Sequence, residues 1–271
     1  MVATPSSEDG AAVADGAVHG AASGDDAAVA HGGAHGGAHG AASGDDAAMT
    51  APDAIPAIRL PDTLRQRADA LARAPQRTIL GLTGPPGAGK STLAEALIRY
   101  LNQDGEVAVL VPMDGFHLAD VELTRLGRAD RKGAIDTFDG HGYLALLRRI
   151  RLEQQHVVYA PGFERTLEQP ISGTIPVLAQ HRLVITEGNY LLAGTGPWQE
   201  LPAELAEVWY CQTPPELRRR RLLARHIRFG KNPAAAAQWI RDVDEANAQL
   251  VEGTRERADL VVREDDGFEP A

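Results

Sequence analysis

A glycine-rich stretch at residues 84–91 constrains this chain more than any other feature. It has the pattern G-x-x-x-x-G-K-S. An apolar run at 78–82 precedes it and predicts a buried strand, and an amphipathic run at 93–101 follows it and predicts a helix. A glycine loop in this position turns backbone N–H groups toward a phosphate, and the helix N-terminus adds a favourable dipole. The stretch therefore predicts a phosphate-binding loop, whereas the alternative is a glycine-rich turn without a ligand.

The residue types in this loop indicate a nucleotide and Mg²⁺ as ligands. We expect Lys90 to reach the β- and γ-phosphates and the Ser91 hydroxyl to ligate Mg²⁺. The residues expected to contact the nucleotide are Gly84, Gly87, Ala88, Gly89, Lys90, Ser91 and Thr92.

Composition limits the remaining possibilities. The chain has 271 residues and 44% hydrophobic residues, enough for one large α/β domain or two small ones. Its single cysteine, Cys211, excludes an internal disulfide, suits a reducing cytoplasm and is expected to be a buried small apolar residue. We expect neither a membrane span nor a signal peptide, because the required apolar runs are missing. Seven of the ten net negative charges lie in residues 1–52, so the rest of the chain is only mildly acidic. We expect no nucleic-acid binding, because the sequence indicates no basic face.

The N-terminal region differs in character from everything after it. Residues 1–52 are rich in Ala, Gly, Asp and His, and the segment at 19–28 recurs identically at 39–48. Because it has almost no large apolar side chains, we expect disorder rather than a repeat fold. Its histidines offer weak metal binding as an alternative. The predicted organisation is a tail and linker at 1–58, one domain at 59–264 and a frayed end at 265–271.

Two acidic residues follow predicted strands. Asp114 comes after the run at 107–111, and Glu187 ends the run at 182–187. In open α/β sheets, ligands bind outside the carboxyl ends of the strands. We therefore expect Asp114 to accept a proton from a substrate hydroxyl, the alternative being a helix cap, and Glu187 to support Mg²⁺.

Two irregular segments are predicted to reach over the site. The loop at 128–139 presents Arg131 and Lys132 to a substrate, or is simply a solvated charged loop. Residues 156–178 predict two short strands, at 157–160 and 171–177, joined by a long loop. In this ribbon, Phe163 and Arg165 are candidates for substrate contact, and Phe163 equally fits a small core of the ribbon itself.

The C-terminal part predicts two strands, at 208–212 and 258–262, and two helices, from 214 to 229 and from 234 to 251. In the first helix, Arg218, Arg221 and Arg225 share one face. They are candidates for neutralising charge on a transferring phosphoryl group, or form a solvated basic face.

Six motifs in order resemble a known family. Besides the glycine loop, they are Met-Asp-Gly-Phe-His at 113–117, Arg-Lys-Gly-Ala-x-x-Thr-Phe-Asp at 131–139, Tyr-Ala-Pro-x-Phe-Glu-Arg at 159–165, Glu-Gly-Asn-Tyr-Leu-Leu at 187–192 and Arg-His-x-x-Phe-Gly-Lys at 225–231. Over about residues 60–264 the chain resembles the P-loop small-molecule kinases of the phosphoribulokinase, uridine kinase and pantothenate kinase type. It is most similar to the branch called nucleoside/nucleotide kinase family proteins, some of which are named fructose-transport kinases.

The resemblance implies a P-loop three-layer α/β fold with a parallel sheet, a β-ribbon insertion and a helical lid. It also implies roles for single residues. Asp114 is the expected catalytic base, and Phe116, Arg131 and Lys132 are expected at the substrate. Glu187 and Ser91 are expected at Mg²⁺, and Lys90, Arg221 and Arg225 at the transferring phosphoryl group. The segment at 159–165 matches neither the uridine kinase nor the pantothenate kinase pattern, so the resemblance does not select the acceptor.

We expect transfer of the γ-phosphoryl group of ATP to a hydroxyl of a nucleoside, a sugar or a pantothenate-like alcohol. The expected partner is this small molecule, without nucleic acid or membrane, and a homodimer is allowed. Two alternatives stay open: a P-loop ATPase or GTPase that works as a switch or chaperone, and a metal-handling protein that depends on its histidine tail.

Overall fold

The computed structural model describes residues 59–263, which contain both helices and strands. The helices and strands are α1 (Asp62–Ala72), β1 (Thr78–Thr83), α2 (Lys90–Leu101), β2 (Ala108–Leu110), α3 (Asp120–Arg125), α4 (Gly140–Leu152), β3 (Val158–Glu164), β4 (Gln169–Val177), β5 (Leu183–Glu187), β6 (Glu207–Gln212), α5 (Pro215–Arg228), α6 (Pro233–Trp239), a π-helical segment (Ile240–Asp244), α7 (Glu245–Glu252) and β7 (Leu260–Arg263). The expected tail at 1–58 and the frayed end at 265–271 lie outside the described residues, so these boundaries stay predictions.

Five strands form one sheet in the order β2-β5-β1-β6-β7, and every neighbouring pair is parallel. Parallel sheets carry helices on both faces, which explains why the strands are nearly continuous apolar runs. Two buried clusters accordingly flank the sheet, one around α4 and one around α1 and α2. The predicted α/β fold is confirmed, and Cys211 lies buried inside β6.

The ribbon of β3 and β4 is longer than the sequence pattern predicts. Its antiparallel pairs run from Val158↔Val177 to Glu164↔Gln169, with an irregularity between Ala160 and Gly162. The added residues include Pro161 and Pro170, and proline cannot donate a ladder hydrogen bond. A two-stranded ribbon has only edge strands, so both prolines are accommodated.

The helix predicted from 234 to 251 is divided into three parts. Asn232 caps its start by accepting a hydrogen bond from the Ala235 N–H, and Pro233 occupies the first turn. The π-helical segment Ile240–Asp244 then separates α6 from α7. Such segments are rare and change the phase of the side chains that follow.

Within residues 59–263, no helix is both long and apolar enough to cross a lipid bilayer.

Candidate active site

The phosphate-binding loop joins β1 to α2 at the carboxyl edge of the sheet. Gly84 has φ 148°, and a Cβ there would lie 2.6 Å from the Cys211 carbonyl oxygen. Gly89 precedes α2 with φ 83°, and no side chain caps the helix there. Glycine is therefore required where the loop passes β6, and the N-terminus of α2 has no side-chain cap that would compete with an anion.

Lys90 lies buried beneath the loop. Its Nζ donates hydrogen bonds of 2.9 Å to the Gly84 carbonyl and 3.1 Å to the Pro85 carbonyl. Burial lowers its pKa, and the nearby Glu187 carboxylate partly offsets this effect. The ammonium group is thus held in the loop by carbonyls that a phosphate can replace.

Ser91 and Glu187 are directly connected. Ser91 Oγ donates a 3.0 Å hydrogen bond to Glu187 Oε1. Burial raises the pKa of Glu187, the Asp114 carboxylate raises it further, and Lys90 lowers it. Residues 59–263 contain no group of three or more His, Cys, Asp or Glu side chains able to hold a metal. A divalent cation here would therefore take a hydroxyl, a carboxylate and phosphate oxygens, which is the donor set that Mg²⁺ prefers.

Asp114 lies in a 3₁₀ turn, Met113–Phe116, which begins shortly after β2 ends at Leu110. Arg165, a residue of the ribbon, places its Nη2 3.7 Å from the Asp114 carboxylate. His117 Nδ1 is 2.9 Å from the Asp114 carbonyl oxygen and 4.0 Å from the carboxylate. Burial lowers the pKa of His117. The Asp114 carboxylate therefore has two neighbours, the Arg165 guanidinium and the buried His117 imidazole.

A cavity of about 540 Å³ unites these groups. The predicted site residues that line it are Gly87, Lys90, Ser91, Asp114, Lys132, Phe163, Arg165, Glu187 and Arg225. Phe163 contributes its ring, over which Lys132 Nζ lies at 5.7 Å and Arg165 Cζ at 5.9 Å.

Three predicted substrate or lid residues lie outside that lining set. The Phe116 ring packs on Tyr143, with centroids 5.1 Å apart. Arg131 pairs with Asp136 at 2.9 Å. Arg221 does not line the cavity, so its role stays a prediction, as do those of Phe116 and Arg131.

Arg218 has a structural role. Its side chain is only 1% exposed, donates to the Pro86 carbonyl at 3.1 Å and faces Glu245 and Glu252 at 3.3 and 3.6 Å. It therefore links the phosphate-binding loop to α7, although the helical pattern grouped it with Arg221 and Arg225.

Several lining residues were not singled out from the sequence: His117, Gly133, Phe138, His226, Phe229, Lys231, Trp239, Asp244 and Asn247. The first three and the stretch from His226 to Lys231 belong to the quoted motifs, which was the available signal. Trp239, Asp244 and Asn247 lie in no such motif.

Comparison with known proteins places the chain among kinases. It is 34% identical over 175 residues to the putative uridine kinase C227.14 of Schizosaccharomyces pombe, covering 62% of this chain and 74% of that protein. It is 33% identical over 145 residues to the ATP-dependent kinase-like protein notR' of Aspergillus versicolor, covering 50% and 84%. The crystal structure of a putative fructose transport system kinase from Silicibacter sp. TM1040 is 36% identical, with a TM-score of 0.67 and coverage of 74% and 97%.

The parallel sheet, the glycine loop and the carboxylates at the strand ends define a P-loop nucleotide-binding protein. With these relatives, the chain belongs to the family of P-loop small-molecule kinases, so the predicted resemblance and enzyme class are confirmed. A family model described as methylmalonyl Co-A mutase-associated GTPase MeaB matches residues 62–116. That match covers the phosphate-binding loop but neither acceptor segment, so it gives little support to the switch alternative.

Proposed function

We propose that the protein transfers the γ-phosphoryl group of ATP to a hydroxyl of a small metabolite. The observation that carries this proposal is the shared cavity, which Asp114 lines together with Lys90, Ser91 and Glu187. A phosphate cradle and a candidate base within one cavity are what phosphoryl transfer needs, because the reaction depends on positioning and charge stabilisation.

The loop at 84–92 forms the nucleotide end of the cavity. Its N–H groups and Lys90 would hold the β- and γ-phosphates, and Ser91 and Glu187 would hold Mg²⁺. When bound, the metal ion neutralises charge on the phosphate oxygens. Arg225 lines the same cavity and would stabilise charge on the transferring group, a role that we extend to Arg221.

Asp114 would orient and deprotonate the acceptor hydroxyl. Arg165 would hold this carboxylate in place, and Phe163 and Lys132 would contact the acceptor. An alcohol is a far weaker acid than a carboxylic acid, so proton transfer to Asp114 accompanies bond formation rather than preceding it. The expected reducing cytoplasm and the homodimer stay predictions.

The experiment compares ADP release by the purified full chain with Mg²⁺ and ATP, alone and with a mixture of small alcohols. A kinase releases ADP much faster with one of the alcohols. Slow turnover that no alcohol accelerates supports the switch instead. Deletion of residues 1–52 should leave this activity unchanged, and its loss would favour the metal-handling alternative.

A further inference from the structure

The backbone carbonyl of Gly133, in the loop at 128–139, connects this loop to the wall of the cavity that contains His226, Asp244 and Asn247. The Gly133 oxygen accepts hydrogen bonds from the Tyr190 hydroxyl at 2.6 Å and from Asn247 Nδ2 at 3.2 Å. Helix α7 therefore contacts the 128–139 loop through Asn247, while Arg218 connects its other side to the phosphate-binding loop.

A buried pair of polar side chains lies in this wall. His226 Nε2 is 2.8 Å from Asp244 Oδ2, the two side chains are 13% and 8% exposed, and both line the cavity. Asp244 is the last residue of the π-helical segment. Segments of this kind occur frequently at functional sites, where they direct a side chain that a regular helix would turn away.

The charges at this end of the cavity do not suit an anionic acceptor. Lys132 is paired with Asp120 at 2.6 Å, and Arg165 faces Asp114 at 3.7 Å. Lys231 has the Trp239 ring 4.8 Å from its Nζ. Glu168 and Asp244 line the cavity beside Asp114 and Asp120. Arg225 is the fourth cation, which we assign to the transferring phosphoryl group, so the cavity outside Lys90 and Glu187 has four cations and four carboxylates. A carboxylate on the acceptor would therefore meet no net positive charge, and Lys132 and Arg165 already face carboxylates of the protein.

We infer that the acceptor is a neutral polyhydroxy compound and that the Asp244–His226 pair is its specificity-determining contact. This inference rests on the proposed kinase function. Asp244 accepts a hydrogen bond from an acceptor hydroxyl other than the one phosphorylated, and His226 holds the carboxylate in position. The Trp239 and Phe163 rings, both at the cavity surface, cover the apolar faces of the acceptor.

The test uses the full chain and pairs of alcohols that differ mainly by a carboxylate: glycerol and glycerate, panthenol and pantothenate, glucose and glucuronate, uridine and orotidine. For the pair that contains the substrate, we expect kcat/KM at least about tenfold higher for the neutral member. Equal or greater activity with the carboxylate member overturns the inference and leaves the kinase proposal standing. If no alcohol accelerates ADP release, the kinase proposal fails and the inference fails with it.

Variants then locate the contact. Asp244→Asn should raise KM for the neutral acceptor about tenfold, the loss of one hydrogen bond to a charged group, while KM for ATP stays within about twofold. It should also reduce the ratio of kcat/KM between the neutral alcohol and the matching alcohol that carries a carboxylate. Asp242→Asn, at an exposed position of the same segment, is the matched control. If Asp244→Asn does not fold, His226→Asn provides the second test, and an unchanged acceptor KM in a folded variant contradicts the assignment.

Discussion

The Ser91 hydroxyl donates a 3.0 Å hydrogen bond to the Glu187 carboxylate, joining the first turn of α2 to the last residue of β5. Parallel pairing of Leu82 with Glu187 fixes this contact, because it brings the strand end level with the start of the glycine loop. The magnesium site that we propose is thus assembled by the register of two neighbouring strands.

Magnesium binding should release a proton that Glu187 holds. Burial raises the pKa of Glu187, so the folded protein retains a proton that the unfolded chain loses in the ordinary range of glutamate. Folding stability is therefore lost as pH rises through the raised pKa, and cation binding favours the carboxylate form. Calorimetry of Mg²⁺–ATP binding in buffers of different ionisation enthalpy, from about pH 5 to 8, measures the release. Glu187→Gln should abolish it, and an unaltered release would assign the proton to another group.

Lys90→Ala should lose phosphoryl transfer by about 10²- to 10³-fold, because one preorganised charge is removed from the transferring group. It should weaken ATP binding by about tenfold or more, the loss of charge-assisted hydrogen bonds. Single-turnover kinetics and equilibrium binding measure the two effects. Arg99→Ala removes an exposed cation from the same helix and should change neither. If both properties survive in Lys90→Ala, the loop does not bind phosphate as we propose.

Asp114→Asn should reduce transfer by about 10²- to 10⁴-fold, since the amide cannot accept the acceptor proton. ATP affinity should remain nearly unchanged, because the contacts of Asp114 are with Arg165 and His117 rather than with the glycine loop. The comparison of kcat with ATP affinity separates these expectations. Asp104→Asn, at an exposed turn, serves as the charge-matched control. Undiminished turnover in Asp114→Asn would refute its role as base.

Arg218→Ala should destabilise the fold by about 2 kcal/mol or more, since it removes buried hydrogen bonds and leaves Glu245 and the Pro86 carbonyl with fewer partners. Arg220→Ala changes an exposed neighbour and should stay within about 0.5 kcal/mol. Urea unfolding of both variants measures the difference. Equal effects would mean that Arg218 contributes no more than a solvated arginine.

Local sequence predicted the parts of the site that depend on local structure. Lys90 and Ser91 follow from the glycine pattern, and Asp114 and Glu187 follow from their positions at the ends of apolar strands. In these cases the end of a strand or the start of a helix determines the sheet edge that the side chain reaches, and the pairing of β1 with β5 then brings Ser91 and Glu187 together.

The rest of the site depends on distant parts of the chain. Helical spacing placed Arg218 beside Arg225, but carboxylates on α7 and the Pro86 carbonyl bury it. Asp244 was missed because the sequence predicted a regular helix through 234–251. No residue pattern predicts the π-helical segment that ends at Asp244. Its partner His226 lies on another helix, so their pairing is a property of packing.

The ribbon leaves and rejoins the domain at adjacent points, because Val158 pairs with Val177 at its base. A Cβ at Gly115 would lie 2.3 Å from the Pro161 carbonyl oxygen, so this base is fitted closely to the turn that carries Asp114. Three residues of the tip, Phe163, Arg165 and Glu168, line the cavity where we propose that the acceptor binds. The tip of the ribbon can therefore be replaced independently of the rest of the domain. Grafting a different tip onto the same base should change which alcohol is phosphorylated, while the strand order of the five-stranded sheet stays the same.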